Sequence, residues 1–210
     1  MTDTKRPSRW WIAAVPVAVA LMLVASGYRV QTFWFDSGQH RELASADAGQ
    51  WASATEEYSD AHGDTTRAYA VRLAGMGDAT STFTDFVGEE IALREGMVAR
   101  TVDLEFEAAP DQALTGCTLT LIDDEGRRFE LGGTTSRLTT SPYACVPERT
   151  PGPSLAVLES DVRGATPDDT EPRPTRWTVS PRIVVPEDAT FVELRVSFEH
   201  PDYVTLALER

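Results

Sequence analysis

Lysine and asparagine are almost missing from this chain: Lys5 is the only lysine among 210 residues, and there is no asparagine at all. The second absence removes every Asn-x-Ser/Thr acceptor for N-linked glycans. With Arg, Ala, Asp and Thr abundant, the bias is the coding habit of a high-GC bacterium and points to an actinobacterium. Cations are short overall, 19 against 33 carboxylates. Setting aside Asp3, Lys5, Arg6 and Arg9 leaves 16 against 32, a charge of −16 on the rest of the chain. A surface that acidic repels nucleic acid and anionic lipid headgroups, so no nucleic-acid partner is expected.

Catalytic chemistry is thin as well. The three histidines, His40, His62 and His200, all stand in polar or turn contexts. Nucleophilic catalysis needs a Ser, Cys or Thr beside a base, and neither Gly-x-Ser-x-Gly nor a Cys-His signature occurs. Gly75-Met-Gly77 lacks the third glycine and the following helix of a nucleotide-binding loop. Asp60-Ala-His-Gly-Asp64 would offer two carboxylates and an imidazole to a divalent ion, but the same residues suit a hairpin turn, which is the expected use. Asp123, Asp124 and Glu125 are turn formers in the same way, and the carboxylates are too numerous for any pair to stand out as an acid/base dyad. No catalytic, cofactor-binding or metal-ligating residue is assigned, and no enzyme is expected.

Only one long apolar run is present, the 19 uncharged residues from Trp10 to Tyr28, with Lys5, Arg6 and Arg9 on one flank. As a helix it reaches about 28 Å, close to the roughly 30 Å of a bilayer's hydrocarbon core. The one-sided cations predict a cytoplasmic tail over 1–9, a single-pass transmembrane signal anchor over 10–28, and an extracytoplasmic remainder in the cell membrane. Trp10, Trp11 and Tyr28 bracket the run as membrane-interface residues. Phe33, Trp34 and Phe35 either extend that belt or open the first strand, the strand being favoured. Val24-Ala-Ser-Gly27 resembles a signal cleavage site, and cutting after Ser26 would leave a freely secreted protein. The run exceeds the apolar centre of about 7 to 15 residues of a cleaved signal, so a retained anchor is the reading taken. Pro16 falls in the second turn, where membrane helices tolerate it.

Cys117 and Cys145 lie on the exported side, where two thiols are expected to join in a structural disulfide. Strand patterns fill the rest. Tyr69, Val71 and Leu73 alternate with Ala and Arg72 over 65–76, and Val98, Val102, Leu104 and Phe106 alternate with Thr101, Asp103 and Glu105. Arg100 falls on the apolar side of that strand, at its rim. Thr118–Asp123 and Arg128–Leu131 flank a Gly126 hairpin turn, and 177–185, 191–198 and 203–208 complete the set. Residues 83–94 fit neither helix nor strand periodicity cleanly. The six prolines between Pro147 and Pro174 predict a long loop over 147–176.

The segments Val98-Ala-Arg-Thr-Val-Asp-Leu-Glu-Phe, Leu119-Thr-Leu-Ile-Asp-Asp-Glu-Gly-Arg-Arg-Phe-Glu-Leu, Ile183-Val-Val-Pro-Glu and Val192-Glu-Leu-Arg-Val resemble secreted immunoglobulin-like domains of Gram-positive bacteria, the DUF4352 and MPT63-like antigen group. The resemblance covers about residues 65–208 and implies an extracellular β-sandwich with no established catalytic residues. The expected architecture is all-β: an antiparallel immunoglobulin-like β-sandwich over 65–210, preceded by the transmembrane helix and by a membrane-proximal strand and connecting segment over 29–64. The expected role is noncatalytic, a protein–protein interaction in the cell envelope. The alternatives are a small-ligand or metal-binding envelope module, or a secreted protein.

Overall fold

The computed structural model describes residues 10–30, 38–60, 63–84, 89–114, 116–131, 144–153 and 172–209. Among the described residues one helix, α1 (Trp10–Val30), holds Pro16 within it and carries Arg29 in its last turn. Its side chains are described over 15–27 and at Arg29. They form no polar stripe, and the large apolar ones from Val15 to Val24 are 44% to 77% exposed. Among the described residues no helix is long and apolar enough to cross a membrane. The thirteen apolar and small positions of α1 whose side chains are described, 15–27, reach about 20 Å, shorter than a hydrocarbon core.

Twelve strands follow: β1 (Arg41–Ala46), β2 (Ala52–Asp60), β3 (Gly63–Thr80), β4 (Thr82–Thr84), β5 (Glu90–Ala92), β6 (Met97–Ala108), β7 (Thr118–Asp123), β8 (Arg128–Leu131), β9 (Arg176–Val179), β10 (Arg182–Pro186), β11 (Phe191–Ser197) and β12 (Asp202–Ala207). One sheet runs β1-β12-β11-β7-β8. The other runs β10-β6-β3-β2, with β9 also pairing β6, and β4-β5 form a small hairpin of their own. Pairing is antiparallel throughout except for β1 on β12. Because side chains alternate across a strand, Val71, Leu104 and Phe106 of one sheet face Leu121, Leu194 and Leu206 of the other, and all are buried. Phe106 stacks on Trp177 at 5.7 Å between ring centres. The result is a β-sandwich with one shared core.

Several expectations are corrected by these ranges. The sandwich begins at Arg41 rather than residue 65, because β1 and β2 are integral strands of its two sheets. The helix runs on past Tyr28 to Val30, and Phe33, Trp34 and Phe35 lie outside the described residues. The strand expected over 177–185 is broken into β9 and β10 at Ser180-Pro181, where proline cannot donate to the ladder. The ambiguous 83–94 segment is the β4-β5 hairpin, anchored by fully buried Phe83, with 85–88 outside the described residues. Arg100 is half-buried at the rim, as its parity implied. Gly126, at a φ of 79°, makes the β7–β8 turn, and buried Asp123 accepts the backbone N–H groups of Glu125 at 3.1 Å and Arg127 at 2.7 Å.

Leu194 sits in the middle of its sheet, opposite Leu121 on one side and Leu206 on the other. Leu194→Ala is therefore expected to lower unfolding free energy by about 2–5 kcal/mol, measured as a shift in the urea midpoint at unchanged slope.

Candidate functional site

The alternation that buries the core also turns Glu56, Tyr58, Arg67 and Tyr69 inward near one end of the sandwich. Glu56 on β2 is the direct cross-strand partner of Arg67 on β3, and their side chains are 1% and 0% exposed. They form an ion pair between Glu56 Oε1 and Arg67 Nε. The guanidinium also lies over the rings of Tyr58 at 4.5 Å and Phe198 at 5.3 Å, and its Nη2 is 3.3 Å from Glu199 Oε2, which reaches it from the half-exposed turn after β11. Tyr69 meets Phe198 edge-on at 4.8 Å. A charge this deep is tolerable only when neighbouring groups replace its water.

The start of β1 is fastened to the same end. The carbonyl of Pro201, which follows a cis peptide bond, accepts the backbone N–H groups of His40 and Arg41 at 3.0 Å each. Arg41 grips buried Asp202 with its fork, Nη2 lying 2.6 Å from Oδ2. Gln39 Nε2 donates to Thr120 Oγ1 at 3.0 Å, and Ser197 Oγ donates to the Asp202 carbonyl at 2.5 Å. The Asp202 carboxylate raises the pKa of Arg41 through hydrogen bonding and charge. Burial pushes the Glu56 carboxyl up to about 7; Arg67 pulls it down, while the charges of Asp202 and Glu199 push further up. Burial, followed by the charge of Glu56, also raises the Tyr69 hydroxyl well above its ordinary range.

A second polar knot lies nearby. Arg173, 1% exposed between two prolines, donates to the carbonyls of Pro151 at 2.9 Å, Ala109 at 2.8 Å and Gln112 at 2.7 Å, and covers the Trp177 ring at 4.7 Å. Burial lowers its pKa. Gly152, at a φ of 78°, leaves the space that Arg173 Nη1 uses, since a Cβ there would lie 2.8 Å from it. The Trp177 indole donates to the Cys145 carbonyl at 2.9 Å, and Cys145 is joined to Cys117 in the expected disulfide, with 6.1 Å between Cα atoms. The described flanks of the proline-rich loop are thus tied to the core from both sides; residues 154–171 lie outside the described residues.

The residues singled out in the sequence do not converge. Backbone positions of Trp10, Trp11 and Tyr28 fall in α1, while their side chains are not described. Asp60 pairs with Gly63 across the β2–β3 turn, and the Asp60 side chain with Ala61 and His62 lies outside the described residues. Among the described residues no group of three or more His, Cys, Asp and Glu could hold a metal ion. In the buried cluster a guanidinium occupies the place that a cation would take between Glu56 and Glu199. Sequence reasoning missed Glu56, Arg67 and Arg173. Arg67 shares the parity of Tyr69, Val71 and Leu73, and extending that alternation by one step would have found it.

No family model and no curated protein matches the chain. Among solved structures, an uncharacterized β-sandwich protein from Clostridium difficile 630 aligns with 83% of this chain and 97% of its own at 9% identity and a TM-score of 0.33, a likeness too low to carry an argument.

Two outcomes are expected of the cluster. Arg67→Ala, which leaves Glu56 buried without its partner, lowers stability by about 3–5 kcal/mol, whereas Glu56→Leu with Arg67→Met recovers most of the loss; chemical denaturation of the three proteins reads both. The pH dependence follows from the raised pKa of Glu56. Between its unfolded value and about 7 the folded state binds the extra proton, so stability falls as pH rises through that window. The decline from pH 5 to 8 is up to about 3 kcal/mol and is lost in Glu56→Gln, as thermal or urea unfolding at several pH values shows.

Proposed function

We propose that the chain is a noncatalytic, membrane-anchored extracytoplasmic β-sandwich protein that mediates protein–protein interaction in the cell envelope. The supporting observation is α1: its large apolar side chains stand exposed in every direction instead of packing on the sandwich. A helix apolar all round has no water-facing side, and lipid is the environment that suits it. The run continues in sequence to Trp10 and ends at Tyr28, with its cations on the N-terminal flank alone. Residues 31–40, the stretch between α1 and β1, reach at most about 36 Å fully extended, which tethers the sandwich close to the outer leaflet.

The finer reading of the sandwich as immunoglobulin-like, akin to the DUF4352 and MPT63-like group, belongs to the same proposal. It is supported by the disulfide that joins Cys117, next to β7, to Cys145 in the loop beneath Trp177, and by the burial of Trp177 itself. The partner role rests on what fills the sandwich. Among the described residues its interior is occupied by aliphatic and aromatic side chains and by the Glu56–Arg67 ion pair, which leaves surfaces as the means of contact.

The full chain is expected to remain in carbonate-washed membranes with its N-terminus intact, and Leu21→Arg, costing about 2.5–3.5 kcal/mol at a helix centre, is expected to shift it toward the soluble fraction. A soluble species beginning at Gly27 would contradict the anchor.

A further inference from the structure

Four edges border the two sheets, and three carry features that discourage further pairing. β8 has four residues. β1 is bulged between Glu42 and Ala44. The β9–β10 border is interrupted at Ser180-Pro181 and closes on Pro186. β2 differs: nine residues, Ala52–Asp60, in unbroken register with β3, with no proline and no basic side chain. No turn or loop backbone hydrogen bond among the described residues reaches it, and β1 lies alongside in the other sheet without pairing. Its outward side chains, Ser53, Thr55, Glu57 and Ser59, are short or acidic and exposed. Beside them, on the outer face, a shallow trough of about 480 Å³ is floored by Ala68 and Ala70 and bordered by Thr175 and by Glu107, which is paired with Arg176 at 2.6 Å.

An edge of this length presents a row of unpaired N–H and C=O groups, and natural sheets normally blunt such rows. The usual device of an inward-pointing charge is present as Glu56, but Arg67 neutralises it within the chain's own core. We propose that the free edge of β2 is a strand-addition site that takes an extended, basic peptide segment of a partner protein. Main-chain hydrogen bonds to β2 supply the attachment, and the alanine-floored trough gives room to the side chains on the outer face. Exposed Glu57, within an exported region of 16 cations against 32 anions, selects arginine or lysine in that segment.

A second copy of the chain does not fit as well. Antiparallel self-pairing of β2 points the two β1 starts in opposite directions along the strands, which two copies anchored in one bilayer cannot satisfy. That step alone rests on the proposed anchor; the exposed edge does not.

The test uses the full chain in detergent micelles and synthetic extended peptides of about ten residues. One alternates valine with threonine and arginine, a second carries glutamate for arginine, and two more are N-methylated on alternate amides, odd or even. The basic peptide is expected to protect β2 amides from hydrogen exchange, with one methylated form and the acidic form each binding at least about tenfold more weakly. Glu57→Lys and Thr55→Lys, both at exposed positions that leave the fold intact, are expected to weaken the basic peptide by a similar factor. No binding at millimolar peptide, equal binding of both methylated forms, or protection away from β2 would overturn the proposal. So would β2–β2 crosslinks in a concentration-dependent dimer, which would assign the edge to a second copy. Peptide binding by a chain that proves to be secreted would leave this site standing and remove the membrane reading alone.

Discussion

A single guanidinium kept entirely out of water organises one end of this molecule. Arg67 cannot be deprotonated to escape its burial, so Glu56, Glu199, Tyr58 and Phe198 must surround it. Those groups come from β2, β3 and the turn after β11, and holding them together fixes the two sheets against each other. The same turn supplies the Pro201 carbonyl and leads into Asp202, which receive the start of β1. The chain's path out of α1 is thereby committed to this end. The β2–β3 turn, the disulfide and the Arg173 knot lie at it as well, since β3 starts where β6 ends and β9 starts. The opposite end holds the β4–β5 hairpin and tight turns such as those at Asp123–Arg127 and Pro186–Ala189.

This distribution gives the proposed anchor a geometry. With about ten residues between α1 and β1, an anchor at α1 would hold the end carrying the cluster near the bilayer and leave the acidic turns around Asp124, Glu125, Glu187 and Asp188 pointing away from it. β2 runs along the side of the sandwich between these poles, where the proposed partner segment would approach without meeting lipid.

Strands were legible in the sequence wherever period-two alternation ran on, as in β3 up to Leu73, β6, β7, β11 and β12. The breaks were harder. Pro181 sat inside an apolar stretch whose hydropathy continued across it, and the bulges in β3 after Leu73 and Met76 moved later residues out of phase. β2 was invisible because its inward residues, Ala52, Ala54 and Glu56, are small or charged and produce no hydrophobic alternation. The disulfide followed from simple cysteine arithmetic. The buried pair did not, because a lone charged residue on the apolar parity of a strand looks like the end of the pattern until its cross-strand partner is known. Arg173 was hidden for a related reason: its three acceptors are backbone carbonyls, which leave no trace in residue types.

The central claim is that the sandwich is held outside a bilayer with its charge-cluster end toward the lipid. The most direct measurement places a nitroxide in turn at Ser59, beside the cluster, and at Glu125, in the opposite turn, of the full chain in lipid nanodiscs, and compares relaxation of each label by a paramagnetic lipid headgroup chelate. The account predicts strong relaxation at Ser59 and little at Glu125. Equal, weak relaxation at both sites, or a stronger effect at Glu125, would contradict it.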